Sequence, residues 1–337
     1  MTTPDLTVVL ERFGLTPADV AETFAELTRQ IADEVAVVEA AQRDGTAWPV
    51  VDFAAVGSGR VADDIVAAVS RRGCVVVRGT FSRELALDWD GQIADYLATN
   101  RFEERFAERY PDAAETGSRI WGVYWSPPQV AARQHSNMAT TRRFLNSFWR
   151  HDSGGRDWFD PDRDIGYPDR LRRRAPGAAS RGLRAHSDAV SSGGWRIEEN
   201  LRVFRHVLAG ELDRFDPWDG AHRTVADQES TAPSSVFRTF QGWTALSEML
   251  PVDGVLHAIP IPRAAAYMLL RGVAGELGLL DGEAEPAPTR FRADELLMRA
   301  MVPIPEVAPG DTVWWLSLIH ISEPTRPPLL SRMPSSA

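Results

Sequence analysis

The sequence predicts an antiparallel β-barrel or sandwich set behind a helical N-terminal region. Three observations carry that prediction. Apolar residues between Leu6 and Gln42 return at helical spacing. The segments Ser235–Phe240, Leu256–Ile261, Ala265–Leu270, Met301–Ile304 and Asp311–Trp315 read as short strands separated by prolines and glycines. Between these regions, Asp152–Ser180 is dense in glycine, proline, aspartate and arginine and reads as an ordered loop or a lid.

In chain order, the first region splits into two helices, because Thr16-Pro17-Ala18-Asp19 offers a cap followed by proline in the first turn. Asp44-Gly45 interrupts the pattern, and Trp48-Pro49-Val50-Val51-Asp52-Phe53 reads as a strand. A helix from Arg60 to Arg71, ended by Gly73, leads to Cys74-Val75-Val76-Val77, a β-branched run too short for a helix. The result is a strand-helix-strand unit. Glu84–Phe106 is helical again, with Trp89, Ile93, Leu97 and Phe102 on its apolar positions. After the turn at Ser126-Pro127-Pro128, Gln129–Arg150 reads as one helix carrying Arg133, Arg142 and Arg143.

Composition narrows the functional classes. The 337 residues, 44% of them apolar, can bury the core of one large domain or two small ones. A net charge of -10 gives no general attraction for nucleic acid or an anionic membrane. The single cysteine, Cys74, excludes an intrachain disulfide and is expected to be a buried thiol in a reducing compartment. There is no basic segment followed by an apolar signal core, and no run of about 20 apolar residues, so a cytoplasmic location is expected. Gly57-Ser58-Gly59 lacks the further glycines and the lysine of a phosphate-binding loop and reads as an ordinary turn.

The chemistry-bearing motif is His186-Ser187-Asp188. On an extended backbone, residues two apart point to one side, so an imidazole nitrogen and a carboxylate oxygen can meet at one point. A distant histidine would complete the two-histidine, one-carboxylate face favoured by non-haem Fe(II), with three coordination positions open. Zinc fits the same donors, and a metal-free His–Asp hydrogen bond is the structural reading. His206, His222 (following Phe215-Asp216-Pro217-Trp218-Asp219), His257 and His320 compete for the third place. His320 is the best placed, near the end of a strand that starts after Pro309-Gly310-Asp311.

Several longer segments occur in a specific order. They are Arg72-Gly73-Cys74-Val75-Val76-Val77-Arg78-Gly79, Tyr124-Trp125-Ser126-Pro127, Arg142-Arg143-Phe144-Leu145-Asn146 and Phe159-Asp160-Pro161-Asp162-Arg163-Asp164 with Tyr167-Pro168-Asp169-Arg170. His186-Ser187-Asp188, Phe240-Gln241-Gly242-Trp243 and Pro309-Gly310-Asp311-Thr312-Val313-Trp314-Trp315 complete the set. Through these the chain from Pro49 to Trp315 resembles the DUF1479, or YbiU-like, family of Fe(II)/2-oxoglutarate-dependent oxygenases. The resemblance implies a mainly-β fold: a helical region over residues 1–110, then a double-stranded β-helix, jelly-roll or cupin-like, over 111–315 with the metal at its open end. It also implies Fe(II) as cofactor, 2-oxoglutarate as co-substrate, dioxygen, and hydroxylase-type oxidation of a small molecule, with His186 and Asp188 matching the proximal metal ligands.

Further candidates are read from the residues themselves, because the family's usual arginine near the last strand has no equivalent here. Arg238 is the candidate cation for the remote carboxylate of the oxoacid, since a guanidinium can make two charge-assisted bonds. Arg119, Trp121, Tyr124, Trp125 and Ser126 are candidates for the substrate mouth, and Arg170, Arg172, Arg173 and Arg174 for recruiting an anionic substrate. The chain departs from the family after its paired tryptophans. Leu316-Ser317-Leu318-Ile319-His320-Ile321-Ser322-Glu323-Pro324-Thr325-Arg326-Pro327 resembles translated sequencing-adapter read-through, so residues 316–337 are expected to be a non-native tail and the core to lack its last native strand. On that view His320 stands where a distal ligand is wanted by position alone. The competing classes are a non-catalytic cupin-like binding protein and a zinc-dependent hydrolase.

Overall fold

The computed structural model describes residues 5–109, 118–121, 123–163, 169–174, 183–187, 193–223, 239–251, 255–280 and 294–323. Helices α1 (Leu6–Phe13) and α2 (Pro17–Arg43) start where the sequence places caps: the Asp5 carboxylate accepts from the Thr7 N–H at 2.8 Å, and Thr16 and Asp19 exchange capping bonds. Along α2 the apolar stripe Val20, Leu27, Ile31, Val35 and Val38 is buried. The strand-helix-strand unit follows as β1 (Val50–Asp52), α3 (Phe53–Gly57), α4 (Asp63–Arg72) and β2 (Cys74–Arg78). Its strands are parallel, which the helical crossover permits.

Helices α5 (Arg83–Thr99) and α6 (Phe102–Arg109) lead to β3 (Ser118–Trp121). The single helix expected over Gln129–Arg150 is two, α7 (Pro127–Gln134) and α8 (Ser136–Asn146), because His135 between them is extended at φ -67°, ψ 138° and caps the second with its side chain. The glycine-rich segment contains a small hairpin, β4 (Asp152–Ser153) with β5 (Arg156–Asp157), and β6 (Leu171–Arg174), which pairs with β3. Then come β7 (Leu183–His186), the short helices α9 (Glu198–Val203) and α10 (Arg205–Leu208), β8 (Phe240–Thr244) and β9 (His257–Ile259). Helix α11 (Ala264–Glu276), α12 (Glu295–Met298), β10 (Val302–Pro303), β11 (Thr312–Leu316) and β12 (His320–Glu323) finish the described chain.

The strands form two four-stranded sheets, in the orders β1-β2-β11-β8 and β10-β9-β12-β7. Strand β11 is buried along its whole length. Alternation sorts its side chains: Val313 and Trp315, with Cys74 and Val76 of β2, join the main core that also holds α2 and α11. Trp314, with Val75 and Val77, joins a second cluster containing Val56, Val69, Trp89 and Leu145 from α3, α4, α5 and α8. Helices therefore cover the first sheet, and Cys74 is fully buried as a free thiol whose pKa burial pushes up.

This architecture corrects the expected fold. The mainly-β double-stranded β-helix, jelly-roll or cupin-like, is not formed: about half of the described residues are helical, none of the described strands exceeds five residues, and the sheets are small, with no closed barrel among the described residues. The misreading has a local cause. Ala265–Leu270, expected as a strand, lies inside α11 and is buried throughout, and a short apolar run buried on all sides carries no period that separates strand from helix. No described helix is long and apolar enough to cross a membrane.

The turn into β11 is a tight one. Gly310 sits at φ +97°, and a Cβ there would lie 2.3 Å from the Phe81 carbonyl oxygen, while its own carbonyl accepts from the Phe81 N–H at 2.9 Å. Gly310→Ala is expected to destabilise the protein by about 2 kcal/mol or more, read as a lowered midpoint in urea unfolding.

Candidate functional site

The ends of three strands converge at one corner between the two sheets. Ser187, which follows the last residue of β7, donates its hydroxyl to the Ser317 carbonyl at 3.1 Å, just past the end of β11. Leu316 is in turn registered opposite Phe240, the first residue of β8. Aromatic rings pack around this corner. Trp218 lies 5.7 Å from Phe240, and Trp243 and Trp315 meet edge to face at 5.4 Å. The indole N–H of Trp243 is buried with no hydrogen-bond partner among the described residues.

The expected ligands are placed unequally. His186 closes β7 and is registered opposite Ile321 of β12, while Asp188 and Arg238 lie outside the described residues. Ser187, next to Asp188 in the chain, and Phe240, two residues after Arg238, both meet the Leu316–Ser317 end of β11. His320 is on β12, next to β7, but is registered opposite Ile259 of β9. Directly opposed residues share a face of a sheet, so His186, Ile321, Ala258 and Val302 form one row, and the His320 position falls on the other face. His257 shares the parity of Ile259 and has its Nδ1 3.0 Å from the Val255 carbonyl. Among the described residues no group of three histidine, cysteine, aspartate or glutamate side chains is arranged to hold a metal ion. As donors, His186 and Asp188 supply the imidazole and carboxylate that Fe(II) accepts, and a second histidine on that face is not found among the described residues.

The mouth candidates form a separate, well-tied unit. Arg119 and Trp121 lie on β3, registered with Arg173 and Leu171 of β6. Ser126 is buried and occupied: its N–H and hydroxyl both donate to Gln129 Oε1, at 3.2 and 2.9 Å, in the cap of α7. The Gln129 amide then donates to the Val123 and Asp169 carbonyls at 2.8 and 3.0 Å. Arg133 pairs with Asp169, donates to the Tyr124 carbonyl at 2.7 Å and lies over the Trp125 ring. Trp125 itself is 71% exposed, the most open of the large apolar side chains described. Of the arginine patch, Arg173 reaches Asp90 at 3.4 Å.

Sequence reasoning missed a cleft of about 660 Å³ beside the β4–β5 hairpin, lined in part by Arg150, Trp158, Arg205, Asp219 and His222. Its signal was the segment Phe215-Asp216-Pro217-Trp218-Asp219, noted only as the approach to His222. Asp219 is the hub. Its carboxylate accepts from Arg150 at 2.9 Å and from the Ala221 N–H at 2.9 Å, with Arg205 at 3.5 Å. Burial pushes its pKa up, but the Ala221 N–H and Arg150 outweigh burial and hold it below the usual carboxylate value.

A helix-covered pair of four-stranded sheets, with His186 at the end of one strand near the corner between them, makes this a mixed α/β architecture whose candidate site is at a sheet corner. The chain belongs to the Gig2-like family, whose model matches residues 10–327, in agreement with the DUF1479, YbiU-like resemblance. It is 41% identical over 321 residues to the uncharacterized protein YbiU of Escherichia coli (strain K12), covering 91% of this chain and 76% of that one. Among solved structures, the hypothetical protein JW0805 of Escherichia coli at high pH superposes with a TM-score of 0.82 at 40% identity, over 95% of this chain and 77% of that one. A Salmonella typhimurium LT2 protein described as a "Putative Oxidoreductase" superposes with a TM-score of 0.80 at 37% identity, over 96% and 82% of the two chains.

The Gln129 knot should be measurable. Gln129→Ala leaves buried groups of Val123 and Ser126 without partners, and is expected to cost about 1–3 kcal/mol in urea unfolding.

Proposed function

We propose that this chain is an Fe(II)/2-oxoglutarate-dependent oxygenase that oxidises a small molecule with dioxygen. The observation that carries the reading is the position of His186-Ser187-Asp188: it begins at the last residue of β7, where Ser187 is tied to Ser317 at the corner of the two sheets. The name of the Salmonella relative points the same way. In this reading His186 and Asp188 hold the metal, and 2-oxoglutarate and dioxygen take open positions. Bound there, metal and oxoacid supply the oxidising power for attack on a carbon–hydrogen bond.

The chain's own residues do the remaining work. His186 ends β7 and Asp188 follows it two residues on, so an extended continuation of the strand would turn imidazole and carboxylate to one side. The rings of Phe240, Trp218, Trp243 and Trp315 limit water at the corner. Arg238, two residues before β8, is the proposed cation for the oxoacid carboxylate, and the Trp243 N–H is a donor available to the same group. Arg119, Trp121, Tyr124, Trp125 and Ser126 belong to the β3–α7 region proposed as the mouth, with Ser126 shaping it through the α7 cap. The arginines around β6 suit a substrate with an anionic group, in a cytoplasmic protein with neither nucleic acid nor membrane as partner.

His320 is left out of the ligand set. It reaches the face of His186 only if β12 slips by one residue, which would turn the buried Ile321 out of the core. The expected result is that the chain binds Fe(II) and then 2-oxoglutarate, and releases succinate. His186→Ala should weaken Fe(II) binding by more than about a hundredfold, and His320→Ala should leave it unchanged. The reading fails if the unaltered chain binds neither Fe(II) nor 2-oxoglutarate, or if His186→Ala binds both as before.

A further inference from the structure

The ladder between β7 and β12 is irregular, and the irregularity falls just before His186. His186 is registered opposite Ile321 and Leu183 opposite Glu323, so two residues of β7, Arg184 and Ala185, face the single residue Ser322. That two-against-one count is a β-bulge, with the extra residue in β7. On its other side β12 runs in step with β9: His320, Ile321 and Ser322 oppose Ile259, Ala258 and His257 in turn.

One residue changes the face. Positions alternate along a strand, so Leu183 and His186, three apart, would lie on opposite faces of a regular β7. Across the bulge they fall on the same face, because their partners Glu323 and Ile321 are two apart on β12. Continued in step from the Leu183–Glu323 pair, β7 would instead set Ala185 opposite Ile321 and His186 opposite His320. The two faces differ in chemistry. One carries the positions of His257 and His320 beside Ile259, and the other carries Ile321, Ala258 and Val302, all buried.

We infer that the bulge at Arg184–Ala185 is the positioning device of the HxD pair: it turns the His186 position off the histidine-bearing face and onto the apolar one. An extended continuation of the strand takes Asp188 the same way. The inference rests on the oxygenase reading. On the histidine-bearing face, up to three imidazoles would fill the coordination of a metal, as in a closed structural site. On the apolar face, His186 and Asp188 leave positions open for the oxoacid and dioxygen, and the apolar neighbours keep water out. Bulges beside active sites serve this purpose, re-aiming one side chain while the rest of the strand keeps its pairing. Arg184 and Ala185 act through His186 and are positioning residues, not catalytic ones.

Deletion of Ala185 removes the extra residue and is expected to bring the His186 position opposite His320. Fe(II) binding, followed by calorimetry under nitrogen, reads the consequence. In the chain of natural length His320→Ala leaves Fe(II) binding unchanged, whereas in the deletion variant the same substitution should weaken it about tenfold or more. A merely structural role for the bulge would not transfer ligand dependence to His320. Deletion of Arg184 removes the same extra residue and replaces the first variant if that one does not fold.

The register is read without metal, by disulfide formation in the full chain, whose own thiol, Cys74, is buried. His186→Cys with Ile321→Cys should close on oxidation, because directly opposed residues of antiparallel strands lie within disulfide reach. His186→Cys with His320→Cys should stay open, because the two positions face opposite ways, and deleting Ala185 should reverse both results. The inference is overturned if the pair at positions 186 and 320 closes as readily as the pair at 186 and 321 in the chain of natural length. It is also overturned if Fe(II) binding by the deletion variant does not respond to His320→Ala. A chain of natural length that binds no Fe(II) overturns the oxygenase reading instead, and the cysteine pairs still decide the bulge.

Discussion

The Asp311 carboxylate decides where β11 begins, and the position of nearly everything near the site follows from that strand. Its two oxygens accept from the Arg78 guanidinium at 2.6 Å, the Gly79 N–H at 2.8 Å and the Ala308 N–H at 2.9 Å. A buried charge is tolerable only when its acceptors are satisfied, so the turn at 308–311 and the end of β2 are locked to one another. Thr312 then falls opposite Val77 and Thr244, and five residues later the chain leaves the first sheet at Ser317, against Ser187. A displaced start would carry β12 with it and change which face of the second sheet each histidine position occupies.

The corner and the cleft are two sides of one rigid loop. Trp218 packs on Phe240 at the corner and on Trp149, and donates its N–H to the Ser70 carbonyl at 3.0 Å. One residue on, Asp219 floors the cleft. Arg223 is buried beneath both, donating to the Asp219 and Pro217 carbonyls at 2.8 and 3.0 Å, and burial lowers its pKa to about 10. That value leaves the guanidinium charged at neutral pH, held by carbonyl dipoles and the face of Trp149. The cleft and the sheet corner therefore share one packed segment, Asp216–Arg223.

Much of the local structure was legible in the residues. The caps at Asp5 and Thr16, the terminator Gly73 at φ +65° and the β-branched run of β2 fall where their chemistry puts them. The break at His135 was not legible, because Gln129–Arg150 contains no glycine or proline to announce it, and the histidine side chain itself makes the cap. Ala265–Leu270 was misread because burial on every side erases the period from which helix and strand are told apart, and with that element the expected jelly roll lost part of its support. At the site, the HxD pair and the aromatic segments were visible as residue types, whereas the cleft joins a hairpin, α10 and the Asp216–Arg223 loop, which are dispersed along the chain.

By itself, the sequence determined the helical N-terminal region, the strand-helix-strand unit and the family, since these depend on neighbours in the chain or on ordered motifs. Only the tertiary structure decided which strands pair, that they form two open sheets under helices, and that Ile321 rather than His320 is opposed to His186. The reason is the two-residue period of a strand. Facing is set by register between segments more than a hundred residues apart, and nothing local to either segment records it.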